Sequence, residues 1–178
     1  MIRKAFRSDL DAVVNIYDEI HRAEEDGKIS IGWKRGVYPV KATAEAALER
    51  NDLFVLETDG VILGSGIINK IQVDTYAKAR WEHETDADHV CVLHTLTISP
   101  RAGRRGLGKQ FISFYEAFAR ENDCFELRID TNERNLVARK MYKKLGYKEI
   151  TILPTVFNGI PDVNLVLMEK HLDREQIP

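Results

Sequence analysis

The chain has 178 residues, 44% of them hydrophobic and 30% charged, with a formal net charge of -2 at pH 7. That length fits one domain over residues 1–178, with a core that needs no covalent staples. The charge balance argues against a nucleic-acid partner, whose footprint is an excess of Lys and Arg. Cys91 and Cys124 are the only cysteines, too few for a disulfide framework. No leader-like apolar opening and no run of membrane-spanning length is present, so a cytoplasmic address without a membrane partner is expected.

In chain order, residues 2–6 read as an opening strand. Ser8 or Asp9 then caps a helix from Leu10 to Glu25, with Leu10, Val13, Val14, Tyr17 and Ile20 at helical spacing. Residues 27–40 form an aromatic-bearing loop, and Thr43 caps a short helix ending near Arg50. Strands at 53–57 and 61–71 flank Thr58-Asp59-Gly60, whose Asp-Gly pair signals a hairpin. Residues 73–88 are polar and acidic around Trp81. A strand at 90–98, a helix at 106–121, a strand at 125–131 and a helix at 135–145 follow. Strands at 147–153 and 163–169 close the chain around Phe157-Asn158-Gly159. This order, β-α-α-β-β-β-α-β-α-β-β, predicts an α/β (mixed α+β) fold.

The segment Ser99-Pro100-Arg101-Ala102-Gly103-Arg104-Arg105-Gly106-Leu107-Gly108-Lys109 lies between a strand and a helix. Unpaired N–H groups and a partial positive charge make a helix start an anion site. Glycines at 106 and 108 let a phosphate approach the backbone, and Arg104, Arg105 and Lys109 add charge. Three readings compete for this loop: a pyrophosphate cradle, a nucleotide P-loop and a turn that binds nothing. The P-loop needs Ser or Thr after Gly108-Lys109 to hold magnesium, and the chain has Gln110 there.

Leu96-Thr97-Ile98-Ser99-Pro100 followed by Gly106-Leu107-Gly108 resembles the signature of the GNAT superfamily of N-acetyltransferases. The family's usual Gln or Arg is replaced by Gly103, with Arg104 next. Downstream, Asn135, Ala138, Tyr142, Leu145-Gly146 and Tyr147 match the family's later motif. Positions 135, 138 and 142 share one helix face, with Val137, Met141 and Leu145 as a neighbouring stripe able to enter the core. Read singly, Asn135 is also a plain helix cap and Tyr142 a core aromatic. The resemblance covers roughly residues 90–150. It implies a central mixed, mostly antiparallel sheet flanked by helices, acetyl-CoA as co-substrate, and transfer of acetyl to a small-molecule or peptide amine. A non-catalytic acyl-CoA-binding module is the alternative.

The same resemblance implies roles. Leu96, Thr97 and Ile98 pair through their backbone with the pantetheine arm, and Asn135 and Ala138 flank it. Arg104, Arg105, Gly106, Leu107, Gly108 and Lys109 surround the diphosphate. Tyr142 protonates the departing thiolate, and a backbone N–H near Leu96 meets the oxyanion. For the base, His94 has a suitable ordinary pKa, but strict alternation puts it on a core face with Val92, Leu96 and Ile98. Glu82 or Glu84, through water, is the substitute. Trp33, Tyr38, Trp81, Glu82 and Glu84 lie where the family builds its acceptor pocket, which would favour a cationic amine. No metal is expected, since strand parity separates His89 and Cys91 from His94. The closing strands and turn at 154–162 offer a surface for a homodimer.

Overall fold

The computed structural model describes residues 1–103 and 105–173. Its elements are β1 (Ile2–Lys4), α1 (Leu10–Glu25), α2 (Lys41–Glu49), β2 (Leu53–Thr58), β3 (Val61–Asn69), β4 (Val90–Ile98), α3 (Leu107–Glu121), β5 (Glu126–Asn132), α4 (Leu136–Lys144), β6 (Lys148–Phe157) and β7 (Ile160–His171). This is the predicted order. The strands form one sheet, arranged β1-β2-β3-β4-β5-β7-β6, antiparallel except for the central β4–β5 pair. Among the described residues no helix is long and apolar enough to cross a membrane.

Local chemistry explains most chain reversals. Asp59-Gly60 and Asn158-Gly159 have positive φ at both positions, as a two-residue hairpin with the right twist requires. The second hairpin is longer than predicted, with pairing that runs out to Phe157↔Ile160. β3 ends early, at Asn69, because the Asn69 Oδ1 accepts the Ile71 N–H at 2.9 Å and turns the chain.

Both predicted helix caps need correction. Asp9 holds the cap position of α1, but its carboxylate points backward, accepting from the Phe6 N–H at 2.8 Å and from Arg3 at 2.7 Å. α2 starts at Lys41, so Thr43 lies inside its first turn, where its hydroxyl accepts the Val40 N–H at 3.1 Å.

Helices cover both faces of the sheet. α3 buries Leu107, Phe111, Ile112, Tyr115 and Ala119 against Leu93, Leu127 and Ile129. Full burial of side chains such as Phe111 contributes about 1.5–3 kcal/mol each, and the Tyr115 hydroxyl donates to the Cys91 carbonyl at 2.6 Å. On the opposite face α1 and α2 pack Val13, Tyr17, Ala44 and Ala47 against Leu53, Val55 and Ile67. Beside them, Tyr76 and Trp81 cover Val90, Val92 and Leu167.

The irregularity that matters lies in β4. Its pairing with β3 slips between Thr97↔Ser65 and His94↔Ile67, and Thr95 in the slip has φ of 51°. Such a bulge reverses the facing of every later residue. Before it, Cys91 and Leu93 face α3; after it, Leu96 and Ile98 do. His94 therefore keeps company with Val92 and Ile67 on the opposite face, and the predicted shared face with Leu96 and Ile98 is wrong. Pairing of β4 with β5 ends at Leu93↔Ile129. Beyond that point the two central strands part.

Candidate active site

Where β4 and β5 part, a cavity of about 650 Å³ opens through the sheet, within the size range of small-molecule sites. Leu96, Ile98, Gly108, Ala138 and Tyr142 line its α3/α4 side. Trp33, Tyr38, His94, Thr95, Asp130 and Phe157 line the other. The sheet thus separates a groove along α3 and α4 from an aromatic chamber, and the two meet at the slot.

The groove begins at the start of α3. Gly106 caps the helix in the left-handed region, at φ 74°. Among the described residues the Gln110 N–H is the first of this turn to bond back, to the Gly106 carbonyl at 3.1 Å, and the free N–H groups of a helix start suit an anion. A Cβ on Gly106 would meet nothing within 4 Å, whereas one on Gly108 would touch Met141 Sδ at 3.1 Å. Arg105 and Lys109 are exposed beside the turn, and Leu107 is buried beneath it. Arg104 lies outside the described residues. Arg101 points elsewhere, paired with Glu19 of α1. Gly103 has φ 65° and ψ -167°, a region essentially reserved for glycine. The backbone path, then, accounts for the absence of the family's usual Gln or Arg at this position.

Asn135, Ala138 and Tyr142 all line the cavity. Asn135 Oδ1 accepts the Ala138 N–H at 3.2 Å, so it is a helix cap whose amide NH₂ remains for a ligand. Val137 does not enter the core as its stripe predicts: it is 84% exposed, at the cavity rim, while Met141 and Leu145 pack inward. Tyr142 is 5% exposed, and no described residue hydrogen-bonds its hydroxyl. Burial, helped by the nearby Asp130 charge, raises its pKa. The phenol stays protonated.

Past the bulge, Thr97 and Ile98 pair with β3, and neither they nor Leu96 pair with β5. Their other edge is open to an extended ligand. The Thr97 side chain faces away from the groove, its hydroxyl 2.7 Å from that of Ser65.

On the acceptor side, Trp33 meets Tyr38 edge-on at 5.9 Å, and Tyr38 meets Phe157 at 6.2 Å. Tyr38 also hydrogen-bonds the Thr95 hydroxyl, anchoring the 27–40 loop on the bulge. Loop placement is fixed further by Glu24, which accepts from the Ile31 and Gly32 N–H groups at 2.5 and 2.9 Å. His94 Nε2 lies 2.9 Å from the Ile71 carbonyl and 3.1 Å from Asn69 Oδ1. Both are acceptors, so Nε2 carries the proton and Nδ1 the lone pair. Burial pushes the His94 pKa down to about 4.

Glu82 is not brought to the cavity. It binds Lys148 at 2.7 Å on the surface. Glu84 and Trp81 do not line the cavity either; Trp81 meets Tyr76 edge-on and lies under Arg128. The acid that does line it is Asp130, which the sequence reading overlooked. Its Oδ2 accepts from the Tyr76 hydroxyl at 2.8 Å, and burial lifts its pKa to about 6. The available signal was an acid near the C-terminal end of the central parallel strand, where α/β sheets place their ligands.

Comparison with known proteins fixes the class. The sequence matches the Acetyltransferase (GNAT) family over residues 10–147, and the chain belongs to that family. Three solved structures illustrate the likeness. An acetyltransferase of the GNAT family from Streptococcus agalactiae 2603 superimposes with a TM-score of 0.82 at 22% identity, covering 98% of this chain and 96% of that one. The yncA protein of Salmonella typhimurium, solved with its cofactor acetyl-CoA, gives 0.71 at 18% identity, covering 100% and 96%. A ribosomal-protein-alanine N-acetyltransferase from Brucella melitensis gives 0.71 at 20% identity, covering 97% and 99%. At these identities the likeness is one of fold. No curated protein matches the sequence significantly. Family and fold together set aside the P-loop reading of Gly103–Lys109.

Proposed function

We propose that the whole chain is one acetyl-CoA-binding unit that moves acetyl from the thioester to a primary amine by direct attack. The observation that carries this reading is the slot. It joins two differently built sides of one cavity, with a phenol on one side and a carboxylate on the other. Gly106, Leu107, Gly108 and Lys109, with Arg104 and Arg105, hold the diphosphate at the start of α3. The open β4 edge at Leu96, Thr97 and Ile98 receives the pantetheine arm, which Asn135 and Ala138 flank. The thioester then lies at the slot beside Tyr142.

On the acceptor side Asp130 is, among the described residues, the one carboxylate lining the cavity, and the lining cation Arg50 is itself held by Asp52 at 2.9 Å. A carboxylate and three aromatic rings in a buried space favour a cation. An alkylammonium of pKa ~10.4 must lose a proton before it attacks, and Asp130, more basic than an ordinary carboxylate, is placed to accept it. His94 is the weaker base beside it. A backbone N–H near Leu96 stabilises the oxyanion, and Tyr142 returns a proton to the thiolate.

The first test is release of free thiol from acetyl-CoA across a panel of polyamines, amino acids, aminoglycosides and peptides. Tyr142→Phe should lower kcat about a hundredfold while leaving acetyl-CoA affinity within a few-fold. Binding of acetyl-CoA with no thiol release on any amine would favour the non-catalytic module.

A further inference from the structure

The acceptor face of the sheet continues along β5 from Asp130 through Arg128 to Glu126, away from the cavity. In the β5–β7 ladder Glu126 pairs with His171 and Arg128 with Glu169. Two glutamates are thereby buried side by side, with side chains 0% and 2% exposed. One oxygen of each, Glu126 Oε1 and Glu169 Oε2, has no hydrogen-bond partner. Lys148, opposite Glu169 on β6, is held on the surface by Glu82, and among the described residues the buried cation beside them is Arg128, which is otherwise engaged. Its Nη1 donates to Gln72 and its guanidinium lies 4.0 Å from the Trp81 ring centroid. Two buried carboxylates beside one buried guanidinium make a site that favours a further positive charge.

Two imidazoles close the cluster. Glu126 Oε2 is 3.0 Å from His171 Nδ1 and 3.7 Å from His83 Nδ1, and Glu169 Oε1 is 3.9 Å from His83 Nδ1. The rings stack with centroids 4.6 Å apart. Nitrogen and oxygen ligands about 2.0–2.2 Å from a tetrahedral zinc ion lie roughly 3.4 Å from one another. The observed separations straddle that spacing. Imidazole nitrogens mixed with carboxylates select a borderline transition ion over calcium or magnesium, and side-chain exposures of 44% for His83 and 35% for His171 leave an entry path.

We propose that His83, His171 and Glu126, with Glu169 beside them, bind a zinc-class divalent cation. The ligands come from the 79–89 loop, the start of β5 and the end of β7. The ion would therefore tie that loop to the sheet at a distance from the acetyl-transfer site, and the proposal does not depend on the acetyltransferase reading.

Tag-free full-length protein, stripped with EDTA and dialysed, is titrated with zinc chloride by calorimetry against a competing chelator. One zinc per chain at micromolar or tighter affinity is expected, and cobalt(II) in its place should give the intense visible bands of a tetrahedral site. His83→Ala, at an exposed position, and the shape-conserving Glu126→Gln should each weaken zinc binding by about tenfold or more. Circular dichroism and an unchanged acetyl-CoA thermal shift confirm that the variants are folded. No saturable uptake by the unaltered protein would overturn the proposal and leave the cluster as imidazole–carboxylate pairs. Unchanged affinity in the His83→Ala/His171→Ala double variant would overturn it equally.

Discussion

Asp130 and His94 face the same cavity with unlike basicities, and pH separates them. Burial holds Asp130 up at about 6, against the Tyr76 hydroxyl, which favours the ionised form. Burial holds His94 down at about 4, against the pull of the Ile71 carbonyl. Each accepts a proton only when it carries none, so on acidification Asp130 is lost first. The acidic limb of kcat/KM should therefore fall near pH 6, and Asp130→Asn should abolish that limb. Activity left to His94 would then hold down to about pH 4. Tyr76→Phe removes a donor to the carboxylate, raises its pKa and should shift the limb to higher pH. A limb that Asp130→Asn leaves in place would take Asp130 out of the proton path. His94 was named as a candidate base from the sequence but with the wrong facing, and Asp130 was missed. An acid between Ile129 and Thr131 looks like the solvent side of a strand, and its depth is set by Tyr76, 54 positions away. The facing of His94 depends on Thr95, a β-branched residue with no preference for positive φ.

At the scale of elements, what was legible is what is local. Asn135, Ala138 and Tyr142 fall on one helix face by period alone, and all three reach the cavity. The Asp59-Gly60 and Asn158-Gly159 turns announce themselves by residue type. The 73–88 segment reaches the cavity through Val73, but Trp81, Glu82 and Glu84 were misassigned to it because tertiary packing decides where a loop goes: Trp81 donates to the Tyr76 carbonyl and Glu82 is held by Lys148. Close packing between β3 and α3 gives a sharper test. A Cβ on Gly66 would lie 2.7 Å from the Phe111 ring and 3.2 Å from Leu93. Gly66→Ala should destabilise the protein by about 1–3 kcal/mol in urea unfolding. Combining it with Phe111→Leu should cost less than the sum of the two single changes, because the smaller side chain makes room. Strict additivity would mean that the two sites do not touch.

Across the whole molecule, the sheet consists of two parts, β1–β4 and β5–β7–β6, joined by four residue pairs from Val90↔Glu126 to Leu93↔Ile129. Everything beyond those pairs is the slot. Its consequence is one of traffic. The cavity is lined by α3 and α4 on one side and by the 27–40 loop on the other, so under the proposed function donor and acceptor would arrive from opposite directions and neither would have to depart before the other enters. Double-reciprocal plots at several fixed concentrations of the second substrate should intersect, because both occupy the protein at once. Parallel lines would mean that acetyl is first parked on a side chain, and the straight passage through the sheet would lose its meaning.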